Sequence, residues 1–132
     1  GLGDVYKRQA LDAAIKSQCT TLITYENRRA SFTELASIIQ NSKYILFPYI
    51  GDCVSSSGAL IDSIAMGGKV MGPNRGAFSD LASEKVCITY NSYEELLELL
   101  AQPPQIHEKD ITDFFNKNSW DSFGKFIYNS IC

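Results

Sequence analysis

Residues 47–81 read FPYIGDCVSSSGALIDSIAMGGKVMGPNRGAFSDL, and this stretch decides the fold of the chain. It predicts a strand, a loop, a helix, a second strand, a second loop and a short helix, in that order. Both loops are rich in small residues, so a ligand can approach their backbone closely. The stretch therefore combines a crossover between two strands with two loops that could form a binding site.

The first loop ends in Ser55–Gly58, directly before the apolar helical pattern of residues 59–65. Backbone N–H groups at the start of a helix have no partner within the helix and lie at the positive end of its dipole, so they bind anions. Serine before a helix is also ordinary N-capping. A bound phosphate and a simple cap both remain open interpretations of this loop.

The same alternation of strands and helices continues outward in both directions. Two capping-box patterns, Ser31 with Glu34 and Ser92 with Glu95, mark helix starts, and Gly67-Gly68 marks a helix end. The alternation predicts an α/β fold, a Rossmann-like parallel sheet with helices on both faces. The predicted strands are 20–25, 43–49, 69–72 and 86–90, and the predicted helices are 10–18, 31–41, 59–66, 77–83, one from Ser92 to Pro103, and two within 108–131, broken near Asn118-Ser119.

Apolar spacing along these elements predicts which residues face the core. The strand at 43–49 is apolar enough to be buried on both faces. The residues expected to pack inward from the helices are Phe32, Leu35, Ile38 and Ile39, then Leu96, Leu97, Leu99 and Leu100, and finally Phe114, Phe115, Trp120, Phe123, Phe126 and Ile127.

In parallel sheets, ligands bind outside the carboxyl ends of the strands. Those ends lead here into 26–31, 50–58, 73–77 and 91–92, so the serine-glycine loop falls on the ligand side. Arg75 could neutralise a phosphate, and Asp62, one turn into the helix, could accept hydrogen bonds from a diol such as a ribose. An ordinary surface turn and a solvated helix face are the respective alternatives.

Composition limits the function classes. The chain has 132 residues, 45% of them hydrophobic and 20% charged, which predicts a single globular domain. Its net charge of −3 argues against nucleic-acid partners. Four widely spaced cysteines and a single histidine, His107, argue against a metal site and for reduced thiols, hence a cytoplasmic protein. No apolar run approaches the about 20 residues that span a bilayer.

The domain organisation follows from these patterns. Residues 1–9 have no structural period and are expected to be a non-native leader, so that the natural protein would continue upstream. A natural disordered terminus is the alternative. Residues 10–107 would form a partial Rossmann-like domain, and 108–132 would add helices that pack on it.

The stretch 47–81 resembles the donor-binding segment of the retaining GT-B glycosyltransferases, the glycosyltransferase family 4, group 1-like enzymes. There a strand ends in a Pro-Ser or Pro-Tyr turn, a glycine-bearing loop enters a helix reading roughly LEAMA-G-PV, and a GG-E turn follows. The preceding TELASIIQNSKYILFPY resembles the family's helix and strand, and Trp120 with Phe123 resembles its closing helix. The resemblance covers residues 20–131 and implies the carboxyl half of a GT-B fold.

The resemblance also implies a donor site. Of the family's two donor-binding glutamates, the second corresponds to Asp62 and the first to Val54, which cannot replace a carboxylate. The family's basic pair for the diphosphate lies before the first strand here, and Lys7 and Arg8 belong to the suspected leader. The residues expected to contact nucleotide or sugar are Tyr49, Ser56, Ser57, Gly58, Asp62, Asn74, Arg75 and Gly76; no catalytic residue and no metal ligand is predicted.

The implied function is hexosyl transfer from a nucleotide-diphosphate sugar, the co-substrate, to a saccharide or lipid-linked acceptor bound by a missing amino-terminal domain. The fragment alone would be inactive, and peripheral membrane association of the full protein stays open. Two alternatives remain. The chain could belong to another GT-B enzyme, such as a nucleotide-sugar epimerase, or it could be a non-catalytic nucleotide-binding or interaction domain.

Overall fold

The computed structural model describes residues 26–48 and 58–131 of the chain. The chain divides into two compact units, Gly1–Ala30 and Ser31–Cys132. In the first unit, residues 26–30 are described, and Arg28 forms an ion pair there with Glu26 at 3.0 Å. The predicted leader, the helix at 10–18 and the strand at 20–25 lie outside the described residues.

The second unit is an α/β structure built on a parallel sheet, as the sequence predicts. The described strands lie in the order β1-β2-β3, and both neighbouring pairs are parallel. No helix in the described part of the chain is both long and apolar enough to cross a membrane. The elements are α1 (Phe32–Asn41), β1 (Ile45–Leu46), α2 (Gly58–Ala65), β2 (Val70–Pro73), α3 (Gly76–Ser83), β3 (Ile88–Tyr90), α4 (Tyr93–Ala101), α5 (Glu108–Lys117) and α6 (Trp120–Ile131).

Alternate residues of the strands contribute to two separate apolar clusters, because successive side chains point to opposite faces of a sheet. The first cluster joins the sheet to α2, α3 and α5, and the second joins it to α4. Helices therefore cover both faces, as predicted. The buried members of the first cluster are Leu60, Ile64, Val70, Phe78, Leu81, Val86 and Cys87, and those of the second are Met71, Ile88, Tyr90 and Leu96.

Two glycines allow the first cluster to pack closely. A Cβ at Gly72, in β2, would overlap the ring of Phe78, which is completely buried. A Cβ at Gly68 would lie 2.8 Å from the Ser63 carbonyl oxygen and 2.9 Å from a methyl group of Ile39. Gly67 has φ +90°, the left-handed conformation predicted for the end of α2.

The predicted start and end signals explain several helix boundaries. The Ser31–Glu34 capping box is confirmed: Glu34 N–H donates to Ser31 Oγ at 3.2 Å, and Ser31 N–H donates to the Glu34 carboxylate at 2.8 Å. At the end of α3, Val86 N–H donates to the Leu81 carbonyl, and Lys85 N–H donates to the Ala82 carbonyl. This is a Schellman motif, with Lys85 at φ +63° in the position that glycine usually occupies.

The prediction that the strand at 43–49 is buried on both faces is wrong. Within the described part of this segment the strand is Ile45–Leu46, and Leu46 is 44% exposed. β1 pairs with β2 on one side and is an outer strand of the described sheet, whereas β2 lies between two strands and is buried throughout. The position of a strand in the sheet decided its burial, and its apolar composition did not.

The prediction that the helix faces pack inward is correct in part. Phe114 and Phe115 pack against the first cluster, Leu99 packs against the second, and Ile39 and Leu96 are buried. The other expected docking residues are not buried, because each helix presents only a narrow stripe to the sheet, and the chain turns at Asn118-Ser119 before α6. The exposed ones are Phe32, Leu35, Ile38, Leu97, Leu100, Trp120, Phe123, Phe126 and Ile127.

Candidate functional site

The carboxyl ends of β2 and β3 bring two asparagines together. Pro73 and Tyr90 are paired at the ends of the two strands. Asn74 N–H then donates to the Tyr90 carbonyl at 2.8 Å, and Asn74 Nδ2 donates to Asn91 Oδ1 at 3.1 Å. The two loops are thus locked side by side at this edge of the sheet. Asn74 was predicted as a site residue, but its partner Asn91 was not.

Glu95 fixes the second asparagine. Its Oε2 accepts hydrogen bonds from Asn91 N–H at 2.7 Å and from Asn91 Nδ2 at 3.0 Å. Ser92 Oγ accepts from Glu95 N–H at 3.1 Å, so the serine half of the predicted capping box is confirmed. The Glu95 carboxylate differs from the prediction: it binds the residue before the cap. It therefore orients the Asn91 amide, whose oxygen in turn faces Asn74.

Arg75 and Gly76 follow Asn74 and begin α3. Arg75 is the N-cap residue in extended conformation, and its side chain makes no capping hydrogen bond to the helix. Its N–H donates to the Pro73 carbonyl at 2.7 Å, which tightens the turn after β2. Gly76 has φ +54°, where a Cβ would be strained, so the sequence Asn-Arg-Gly permits this sharp entry into the helix. Both residues are exposed at the edge of the sheet.

Tyr90 connects this edge to the end of β1. Its hydroxyl donates to the Phe47 carbonyl at 3.4 Å, and the Phe47 ring packs against Phe78 with centroids 5.6 Å apart. Burial raises the pKa of Tyr90, while the nearby charge of Arg75 opposes that rise. Tyr90 therefore keeps its proton and can hold the backbone from which the serine-glycine loop departs. Sequence reasoning had assigned it only to a strand.

The remaining predicted site residues are distributed around the same edge or fall outside the description. Gly58 begins α2, which follows β1, so the parallel topology puts this helix start at the edge where α3 also starts. Gly58 and Asp62 are both exposed. Tyr49, Ser56 and Ser57 lie outside the described residues.

Other polar groups offer little chemistry. Arg28 and Arg29, on a predicted ligand-side loop, are exposed in the first unit. His107 is the N-cap residue of α5 without a side-chain capping bond. Within residues 26–48 and 58–131, no group of three His, Cys, Asp or Glu side chains could hold a metal ion.

Cys87 is a buried free thiol that donates to the Val70 carbonyl at 3.6 Å. Burial raises its pKa to about 12, so it is protonated and unreactive at neutral pH. A free thiol at this position agrees with the reduced cysteines predicted from the spacing.

A separate groove of about 500 Å³ lies at the turn between α5 and α6, lined by Trp120, Phe123 and Phe126 together with polar residues of the turn. It is made by different elements from the asparagine edge. Comparison of the chain with protein-family models, with curated proteins and with solved structures finds no match in any of the three.

Proposed function

We propose that this chain is the donor-binding part of a glycosyltransferase that moves a sugar from a nucleotide-diphosphate sugar to an acceptor. The observation that carries the proposal is the locked pair of loops at the carboxyl edge of the parallel sheet, where Asn74 contacts Asn91. Ligands of open α/β sheets bind at this edge. The resemblance of residues 47–81 to the donor segment of GT-B enzymes supplies the identity of the ligand.

The roles of the residues follow from their chemistry. The start of α2 at Gly58, with the hydroxyl groups of Ser56 and Ser57, would bind the diphosphate, as helix starts bind anions. Arg75 would add a positive charge near the same group, and Asp62 would accept hydrogen bonds from the ribose hydroxyls. Tyr49, Asn74 and Gly76 would complete the wall of the site.

The reaction would break the bond between the anomeric carbon and the diphosphate oxygen. A new bond forms between that carbon and an acceptor hydroxyl oxygen, the hydroxyl proton is taken up by a base, and the nucleoside diphosphate leaves. Hydrogen-bond donors and positive charge placed where negative charge develops on the leaving diphosphate accelerate this step. The acceptor and the base belong to an amino-terminal domain in this proposal, so the chain alone is expected to bind donor without turnover.

Backbone amide NMR tests the donor site directly. Titration of the 132-residue chain with UDP, GDP or ADP should shift the signals of residues 56–62 and 74–76 and leave that of Asn129, on α6, unchanged. Asp62→Asn should weaken binding about tenfold through loss of charge-assisted bonds worth about 1.5–3 kcal/mol. Asp80→Asn is the matched control, because Asp80 is an exposed carboxylate of α3, the neighbouring helix.

Three outcomes would contradict the proposal. Absence of shifts with all three nucleotides would remove the donor site, and equal losses in Asp62→Asn and Asp80→Asn would remove the ribose contact. If the chain joined to its upstream sequence binds a nucleotide sugar but neither transfers nor releases the sugar, the alternative of a non-catalytic binding domain is favoured.

A further inference from the structure

The carboxyl-terminal helix α6 exposes an aromatic face. None of its twelve residues is buried. Trp120 is 86% exposed, Phe126 and Tyr128 are each 66% exposed, and Ile131 is 77% exposed. Trp120 packs edge-on against Phe123 with centroids 6.0 Å apart, so the face contains a cluster of rings rather than isolated side chains.

The size of this face is that of an interface. An aromatic side chain can bury about 150–250 Å², so the four aromatic and two isoleucine side chains together expose roughly 600–800 Å². The largest apolar patch on an ordinary monomer is about 300–600 Å². A standard protein interface buries about 800 Å² on each partner. The α6 face is therefore large enough for a stable pairing of two such surfaces.

Gly124 shows where the partner approaches. It lies four residues after Trp120 and four before Tyr128, hence within the aromatic face. A Cβ at Gly124 would meet no atom within 4 Å, and its φ is not among the positive values, so nothing within the chain requires glycine here. Glycine in a helix interior costs about 0.5–1 kcal/mol relative to alanine. A second helix crossing closely at Gly124 gives this cost a function.

The charges of α6 favour a copy of itself over a lipid surface. Asp121 and Lys125 are its charged side chains, and they pair with each other at 2.8 Å, so the helix has no net charge and two copies do not repel. Helices that bind membrane surfaces carry many Lys and Arg residues on the polar face. Here that face presents Ser122, Lys125 and Asn129.

We propose that α6 pairs with α6 of a second copy of this chain, antiparallel, about a two-fold axis at Gly124. A two-fold interface brings the same patch of each copy together. Trp120 of one copy then lies over Tyr128 of the other, and Ile131 of the other copy lies toward the groove beside Phe123. The pairing does not depend on nucleotide binding, so it stands or falls separately from the donor site.

Sedimentation equilibrium tests the pairing with a matched pair of variants. The chain should show a monomer–dimer equilibrium between about 1 and 300 µM, because interfaces of this size have dissociation constants of micromolar or below. Gly124→Leu introduces no clash within the monomer but blocks the crossing, and should raise the dissociation constant at least about tenfold. Asn129→Leu adds the same side chain on the polar face and should leave the dissociation constant unchanged.

Thermal unfolding at low concentration verifies that both variants are folded. A chain that remains monomeric at about 300 µM overturns the proposal, as does a Gly124→Leu variant that dimerises as tightly as Asn129→Leu. A monomeric chain whose tryptophan fluorescence shifts on phosphatidylcholine vesicles would identify a lipid surface as the occupant and would equally overturn it. Concentration-dependent protection of the α6 amides from hydrogen exchange would confirm that this helix forms the interface.

Discussion

Glycine lies beside aromatic rings in two regions of this molecule whose surroundings are opposite. In β2, Gly72 lies under the fully buried ring of Phe78, and a Cβ there would overlap the ring. In α6, Gly124 lies among exposed rings, and a Cβ there would meet nothing within 4 Å. The first glycine is explained by packing within the chain, and the second is not.

The difference shows that one pattern of residue types can serve two kinds of contact. Around Gly72, the sheet and two helices already enclose the aromatic ring, so the glycine contributes to the stability of the monomer. Around Gly124, the rings remain in water, where they contribute little to monomer stability. If α6 pairs with a second copy, its glycine contributes to association in the way that Gly72 contributes to folding.

The largest test of this contrast removes one ring from each region. Phe78→Ala should lower the free energy of unfolding by about 3–5 kcal/mol, because it deletes a fully buried side chain and leaves a cavity. Phe126→Ala, the control in α6, should change it by less than about 0.5 kcal/mol, as exposed positions do. Urea denaturation at a concentration where the chain is monomeric measures both. Equal losses would mean that α6 is part of the monomer core.

The second test makes the same substitution at both glycines and expects opposite signs. Gly72→Ala should destabilise the monomer by about 1–3 kcal/mol, because the added methyl group displaces the Phe78 ring from a packed core. Gly124→Ala should stabilise it by about 0.5–1 kcal/mol, because alanine favours a helix and meets no neighbour. Thermal or urea unfolding of the two variants decides the result. A destabilising Gly124→Ala would reveal an intramolecular contact at α6 and would remove the argument for a partner there.

The order of the elements could be read from the sequence, because local signals determine it. The capping residues Ser31 and Ser92, the left-handed Gly67 and the break at Asn118-Ser119 all mark element boundaries where the sequence predicts them. Which apolar faces are covered could not be read. A helical period indicates that Phe114 and Phe126 each lie on an apolar face, but only the position of the neighbouring elements shows that Phe114 packs and Phe126 does not.

The candidate site was predictable in location and only partly in composition. Parallel topology indicates which loops meet at one edge, so Asn74, Arg75 and Gly76 could be selected from their places after a strand. Asn91 and Glu95 were missed because their role depends on the register between β2 and β3, which pairs Pro73 with Tyr90. No feature of the local sequence specifies that register.

A smaller test uses the thiol of Cys87 as a reporter of the buried region. Burial raises its pKa from 9.0 to about 12, so the folded protein keeps the proton at a pH where the unfolded chain loses it. The stabilising contribution is complete below pH 9 and falls as the pH rises toward 12. The unfolding free energy of the native chain should therefore fall by about 1 kcal/mol more between pH 9 and pH 10 than that of Cys87→Ala. Parallel urea titrations at the two pH values give the difference. Identical pH slopes would mean that solvent reaches the thiol, and the contrast between a closed core around Gly72 and an open face around Gly124 would then lose its buried side.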